Sequence, residues 1–316
     1  VSKANKIERL KVLQNEGYSR RAAAATVGIN ESSVRRFEEQ GLLPKWYGEQ
    51  GYNHPEGKPK VLILDIETSP IISAVWMLFK QNVGLNQIKT DWYVISWSAK
   101  WLGSDEVFYM DKRDSWDNED DYELLEGIWK LIDEADWIVT QNGVKFDMKK
   151  LNARFILNGM KPPSSYKNID TLLIAKSHFG FTSNKLEYMT DKLCKKYKKL
   201  THAKYAGYEL WKQCLLGNMD AWRELEQYNC YDVYSLEELY TILRPWYKKH
   251  PNPNLYHDKE ETQCTCGSTN LEANGFHYTG VSKFVRLQCQ DCGAEVRERI
   301  NVLSKDKRKS IKSNIG

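Results

Sequence analysis

The chain has 316 residues, 41% of them hydrophobic and 28% charged, with a formal net charge of +4. That length can bury a core of roughly 150–200 residues with room for appended modules, and the composition excludes a disordered or fibrous chain. No apolar run approaches the ~20 residues of a membrane helix. The polar start Val1-Ser2-Lys3-Ala4-Asn5-Lys6 lacks a signal core, so a cytoplasmic protein with no membrane partner is expected. Seven cysteines, four of them in the last fifth of the chain, point to a metal site in a reducing compartment and away from a disulfide framework.

Residues 1–45 read as a three-helix unit. Leu10, Val12 and Leu13 have helical spacing, Gly17 is a stop, and Ser19 caps a second helix through Arg20-Arg21-Ala22-Ala23-Ala24-Ala25. Gly28-Ile29-Asn30 turns into a third helix, which offers Ser32, Ser33, Arg35 and Arg36 to DNA. Its amino end and serine hydroxyls suit phosphates, and arginine suits phosphate or guanine. The unit carries nine Lys/Arg against five Asp/Glu. The pattern from Tyr18 to Phe37 resembles a helix-turn-helix of the recombinase or resolvase type; the alternative is a helical protein-interaction module.

Residues 46–59, with Gly48, Gly51, Pro55, Gly57 and Pro59, read as a linker. The body, 60–248, opens on the apolar strand Val61-Leu62-Ile63-Leu64-Asp65-Ile66-Glu67. Strand-like runs follow at Val75–Phe79, Trp92–Trp97 and Val107–Met110, then a helical pattern at Tyr122–Ile132 and a strand at Trp137–Thr140. Helical patterns dominate from there to Trp246. This order predicts an α/β domain with a mixed sheet flanked by helices. Core packing is the default for Trp76, Trp97 and Trp129. Lys192, Lys195, Lys196, Lys198 and Lys199, interleaved with Tyr197, could track a phosphate backbone, although a charged helix face is the commoner explanation.

Asp65 and Glu67 lie two apart on a strand and so project from one face. Two buried anions there repel one another and resist ionisation, a cost that a divalent cation removes; a strand end emerging into solvent is the bland alternative. Trp137 to Asp147 runs from a strand through a glycine turn into a helix, placing Asp147 in its opening turns, where an anion is also favourable for the helix itself. Tyr228 and Asp232, four apart, share one helix face, where Tyr228 could equally be a half-buried anchor.

In this order, Asp65-x-Glu67, Asn142-x-x-x-Phe146-Asp147 and Tyr228-x-x-x-Asp232 match the three motifs of the DEDD (DnaQ-like) 3′–5′ exonucleases, which the body resembles over about 60–245. The tyrosine marks the tyrosine subtype; Gln227 stands where the histidine subtype carries its histidine. Asp170-Thr171-Leu172 resembles an accessory segment of the family. The resemblance implies a ribonuclease H-like fold, with Asp65, Glu67, Asp147 and Asp232 holding two Mg²⁺ (or Mn²⁺) ions and Tyr228 orienting the attacking water. The implied activity is removal of nucleoside 5′-monophosphates from DNA 3′ ends. RNA 3′ ends, a structure-specific endonuclease and an inert DNA-binding regulator are the alternatives. The whole chain resembles exonucleases encoded by phages or mobile elements, acting in a bacterial cytoplasm in replication, repair or recombination, where proofreading would require a partner protein.

Pro251-Asn252-Pro253-Asn254 reads as a second linker. In 255–304, Cys264-x-Cys266-Gly267 and Cys289-x-x-Cys292-Gly293 form two knuckles with strand-like residues, notably Val281–Gln288, between them. Four thiolates suit one structural, tetrahedral Zn²⁺, and the module resembles a zinc ribbon. Its first knuckle has a gap of one residue where two is usual, which leaves His257 as a substitute ligand. Cys194, Cys214 and Cys230 are expected to be buried or inert. Lys305, Lys307, Arg308, Lys309 and Lys312 make 305–316 a basic tail suited to phosphates; a merely solvated, disordered tail is the alternative.

Overall fold

The computed structural model describes residues 3–15, 20–43, 58–197, 204–257 and 260–315. In the first segments, helices α1 (Lys3–Asn15), α2 (Arg20–Thr26) and α3 (Glu31–Glu39) close around Ile7, Leu10, Leu13, Ala23, Ala24, Val34 and Leu43. The buried stripe of α1 is Ile7, Leu10 and Leu13, at three-residue spacing, and Val12 lies exposed beside it. Gly17, Tyr18, Ser19 and most of the 46–59 linker lie outside the described residues.

Strand β1 (Val61–Thr68) is the centre of a five-stranded sheet because its run Val61–Leu64 is apolar on both faces. After β2 (Ile72–Ser73) and β3 (Ile88–Thr90), which pair only with each other, come β4 (Val94–Trp101) and β5 (Phe108–Asp111). Helix α4 (Tyr122–Glu134) leads to β6 (Trp137–Thr140), and α5 (Asp147–Leu157) to β7 (Lys167–Asp170). The sheet order is β5-β4-β1-β6-β7, antiparallel on the β4 side and parallel on the β6 side. Helices α6 (Thr171–His178), α7 (Leu186–Leu193), α8 (Tyr208–Leu215) and α9 (Met219–Leu243) complete the body. It is the mixed sheet flanked by helices that the residue pattern predicts.

Alternation along β1 assigns its two faces. Leu62, Leu64 and Ile66 pack with Leu125, Ile128 and Ile132 of α4 and Leu151 and Phe155 of α5. Val61 and Ile63 pack with Ile174 of α6, Met189 of α7, and Val233, Leu236 and Leu239 of α9. Asp65 and Glu67 continue this second series, so they face α9. Trp222 and Leu225, near the start of α9, bury against Ile95 of β4 and Leu210 of α8.

Three expectations are corrected. Val75–Phe79 is not a strand: β2 ends at Ser73, and Trp76 is 93% exposed, so it is no core residue. Nothing pairs with that run beyond the two-residue ladder to β3, and an apolar run without a partner strand has no ladder to join. Strand β4 starts at Val94, not Trp92, and continues to Trp101. Strand β7, in a stretch that reads as helical, is only four residues long and forms because β6 offers a parallel edge.

The second linker is folded. Asn252 caps a 3₁₀ turn at Pro253–Tyr256, and Tyr256 Oη accepts from Trp137 Nε1 at 2.8 Å. Buried His250 bonds Tyr240 Oη through Nε2 at 2.7 Å, and burial lowers its pKa to about 4. Beyond it, β8 (Leu271–Tyr278), β9 (Lys283–Cys289) and β10 (Glu295–Asn301) form an antiparallel sheet in the order β10-β9-β8, followed by α10 (Lys305–Ser310). Among the described residues no helix is long and apolar enough to cross a membrane.

Tyr240→Phe leaves the buried His250 Nε2 without its partner. An unpaired buried polar atom costs about 1–3 kcal/mol, so urea melts of this variant should show a lower midpoint with an unchanged slope.

Candidate active site and cysteine centre

Sheet and helix α9 close on a carboxylate cluster. Asn229 Nδ2 donates to Asp65 Oδ2 at 2.6 Å. Asn229 is itself fully buried and held by β4: Ser96 Oγ donates to its Oδ1 at 3.2 Å and Ser98 Oγ to its backbone oxygen at 2.7 Å. Those serines pair in register with Glu67 and Asp65, respectively, so all four side chains leave the sheet on the α9 face. Trp211 of α8 donates its Nε1 to Glu67 Oε2 at 3.2 Å and meets the Tyr228 ring edge-on at 6.4 Å. Tyr228 hydrogen-bonds Asp232 one turn further along α9.

Asp147 enters from the other side. It is the first residue of α5, and its Oδ1 accepts from Ile66 N, between the two β1 acids, at 3.3 Å. The turn that delivers it needs glycine, since a Cβ on Gly143 would overlap the Thr140 side chain. Asn142 before it adopts φ +71°. The Asp170 carboxylate fastens this turn by accepting from Asn142 N at 3.0 Å and Val144 N at 3.1 Å, while also capping α6 through Leu172 N and Leu173 N. The motif positions Asn142, Phe146 and Asp170 therefore shape the backbone that carries Asp147.

The four acids sit in an electrostatic trap. Burial, then the charges of Glu67, Asp147 and Asp232, raises Asp65 well above the usual carboxylate range. Burial and the Asp232 charge push Glu67 up to about 8, while burial foremost takes Asp147 and Asp232 to about 7. Burial and the same carboxylates also raise the Tyr228 phenol. Lys100, next after Ser98 on this face of β4, is paired with Glu237. Among the described residues none of the four acids has an ion pair with Lys or Arg. An all-oxygen, anionic, cation-starved set of this kind fits hard divalent ions such as Mg²⁺ or Mn²⁺. Only the cysteines, among the described residues, gather three or more ligand atoms within 4.8 Å of one another.

Cys264, Cys266, Cys289 and Cys292 form that compact quartet, and His257 is not part of it. Cys264 Sγ lies 3.6 Å from Cys292 Sγ, and Cys266 Sγ 3.7 Å from Cys289 Sγ. These are far beyond a ~2.05 Å disulfide, and close to the ~3.8 Å edge of a tetrahedron with ~2.3 Å Zn–S arms. The one-residue first knuckle still closes: Gly267 N bonds Cys264 O at 2.8 Å as Gly293 N bonds Cys289 O at 2.9 Å, both glycines at positive φ. Burial opposes ionisation of Cys289, yet the N–H groups of Cys292 and Asp291 hold it down to about 7.

Of the residues singled out in the helical unit, the side chains of Ser32 and Arg35 lie outside the described ones, and Arg36 is exposed. Ser33 is engaged at the helix start, its N and Oγ both bonding Asn30 Oδ1. In the basic run, Glu238 of α9 accepts from the backbone of Lys195, Lys196 and Tyr197, while Lys198 and Lys199 lie outside the described residues. Cys194 and Cys214 are buried and Cys230 half-buried, and burial raises all three thiols. Sequence reading missed Asn229 and Trp211. Asn229 was visible as the neighbour of Tyr228 inside the motif; nothing in the sequence marks Trp211.

Residues 62–244 match the family described as the RNase_H superfamily, and the chain belongs to it. No curated protein matches the chain by sequence. Similar solved structures include the family B DNA polymerase from the hyperthermophilic archaeon Pyrobaculum calidifontis. It is 14% identical with a TM-score of 0.41, over 59% of this chain and 25% of the polymerase, so the chain spans a quarter of that protein's length.

Each site acid has a folded pKa above the ~4 of an unfolded carboxylate, so in magnesium-free buffer the folded state keeps protons that the unfolded chain releases. Their stabilising contribution is full below about pH 4 and is lost as pH rises through 7 to 8. The Tm should fall from about pH 6 to 8.5, less steeply in Glu67→Gln, and added Mg²⁺ should raise it more at pH 8 than at pH 6. Separately, Cys266→Ser should reduce bound zinc from one ion per chain to near none, measured by elemental analysis, and expose 260–304 to protease.

Proposed function

We propose that this RNase_H superfamily chain is a metal-dependent 3′–5′ exonuclease acting on DNA. The observation that carries the reading is the meeting of buried Asp147 with half-buried Asp65, Glu67 and Asp232, none of them ion-paired with a lysine or arginine among the described residues, beside the Tyr228–Asp232 pair. Asp65, Glu67, Asp147 and Asp232 would hold two divalent ions. When bound, such ions supply Lewis-acid stabilisation at a phosphodiester and lower the pKa of water.

The chain's own residues do the positioning. Asn229 and Trp211 each hold one oxygen of Asp65 and Glu67, respectively, and so fix the orientation of those carboxylates. Tyr228 keeps its proton throughout the neutral range, because burial and three neighbouring carboxylates oppose the phenolate. Its role is therefore to orient the attacking water, not to deprotonate it. In-line attack with loss of the 3′-terminal nucleotide yields a nucleoside 5′-monophosphate. The helical unit, with exposed Arg36 on α3, would contact DNA, and the zinc-bound ribbon would be the second appended module, as in the phage or mobile-element exonucleases whose three-part order the chain resembles.

The test follows 5′-labelled single-stranded and duplex DNA, circular single-stranded DNA and a matched RNA, with Mg²⁺ or Mn²⁺. A ladder shortening from the 3′ end, absent from Asp65→Asn/Glu67→Gln, is expected, with the circle left intact. Tyr228→Phe should lower kcat by about a hundredfold or more, and Asn229→Ala by about 10–100-fold. Cutting of the circle would replace the exonuclease by an endonuclease. DNA binding without cleavage of any substrate would leave a binding protein.

A further inference from the structure

The three-stranded sheet that carries the second cysteine knuckle has an outer end with rings that stay exposed among the described residues. In register, Tyr278 pairs with Lys283 and Phe276 with Val285, so these side chains share one face of β8 and β9. Tyr278 is 65% and Phe276 43% exposed, and Lys283 Nζ stands over the Phe276 ring at 3.7 Å and the Tyr278 ring at 5.7 Å. Asn301 pairs with Phe284, which turns Ile300, 77% exposed, toward this same face. The inner end of the face is different: Leu271, Cys289 and Val296 pack there around the cysteines. The sheet is therefore anchored at one end and presents partly exposed rings with a lysine over them at the other.

Charge decides what fits those rings. Over 299–312 there are six cations, Arg299, Lys305, Lys307, Arg308, Lys309 and Lys312, against the single anion Asp306. Helix α10, which carries four of the six, starts three residues beyond the end of β10 and is exposed throughout. Exposed rings beside a lysine, bordered by a run of cations, match a strand whose bases stack while its phosphates meet ammonium and guanidinium groups. Duplex DNA keeps its bases paired and stacked, and offers such rings nothing to stack on. An acidic partner protein would pair with the cations but leave the π faces unused.

We propose that the outer face of this sheet, centred on Phe276, Tyr278 and Lys283, is a second nucleic-acid site that stacks the bases of a single strand, with the α10 cations on its phosphates. It lies outside the carboxylate site and does not rest on the exonuclease reading.

The full chain carrying Asp65→Asn, in magnesium-free buffer, is titrated with fluorescent 20-nucleotide oligothymidylate, oligouridylate and a duplex of the same length. This readout stands whether or not the chain cleaves, and zinc content is measured for every variant. Phe276→Ala/Tyr278→Ala should weaken binding of at least one single strand by about tenfold or more. Tyr278→Leu, which keeps an exposed apolar side chain and spares the packing, should weaken it about threefold or more. The salt slope should stay unchanged in both variants and fall in Lys305→Ala/Lys307→Ala/Lys309→Ala. Unchanged single-strand affinity in the aromatic variants, with zinc retained, overturns the proposal. So does Tyr278→Leu binding like the parent, or an equal loss on the duplex.

Discussion

Four carboxylates gathered between the sheet and α9, with no compensating lysine or arginine among the described residues, are the constraint on which the body of this protein turns. Like charges in a low-dielectric site repel, and each must either keep a proton or find a cation. The chain does not relieve this locally. Lys100, the base placed on the same face of β4, is committed to Glu237. The repulsion is borne by the surrounding scaffold: a strand sealed on both faces, a helix of 25 residues packed across β1 and β4, and a glycine turn fastened by Asp170. A set of this kind would be relieved by divalent cations, and the relief would appear as binding energy.

The two metal-type centres solve opposite problems. The carboxylates do not gather as tightly as the cysteines, as would suit ions that also accept water and phosphate oxygens. The cysteines close completely on one point, with sulfur–sulfur distances near the edge of a tetrahedron, and the sheet around them buries little else. A small module of this kind has too little apolar area to hold itself together, and a metal on the quartet would substitute for a core. Openness belongs with chemistry and closure with structure.

Polar support is concentrated around the acids. Asn229 links Asp65 to two serines of β4, so strand, helix and carboxylate move as one unit. Trp211 couples Glu67 and Tyr228 through one ring. Such groups restrict where the carboxylate lone pairs point, which matters more for an ion-binding oxygen than its mere presence. The Tyr240–His250 and Trp137–Tyr256 contacts do a different task, fastening the segment before the cysteine module to α9 and β6 on the α9 face of the sheet.

Whatever depends on local periodicity was legible in the sequence. The central strand betrayed itself because burial on both faces demands a continuous apolar run. Asp65 with Glu67, and Tyr228 with Asp232, shared faces because strand and helix geometry dictate it at spacings of two and four. The knuckle spacing likewise announced a thiol quartet. Tertiary structure decided the rest. Lys167–Asp170 became a strand only because β6 exposed a parallel edge, and the apolar Val75–Phe79 failed to become one for want of a partner. Trp211, some 140 residues from Glu67, reaches it only because α8 packs against α9. Residue type and spacing determine what a segment can do alone; which acid, ring and amide meet across the chain depends on packing, whose energy no local pattern contains.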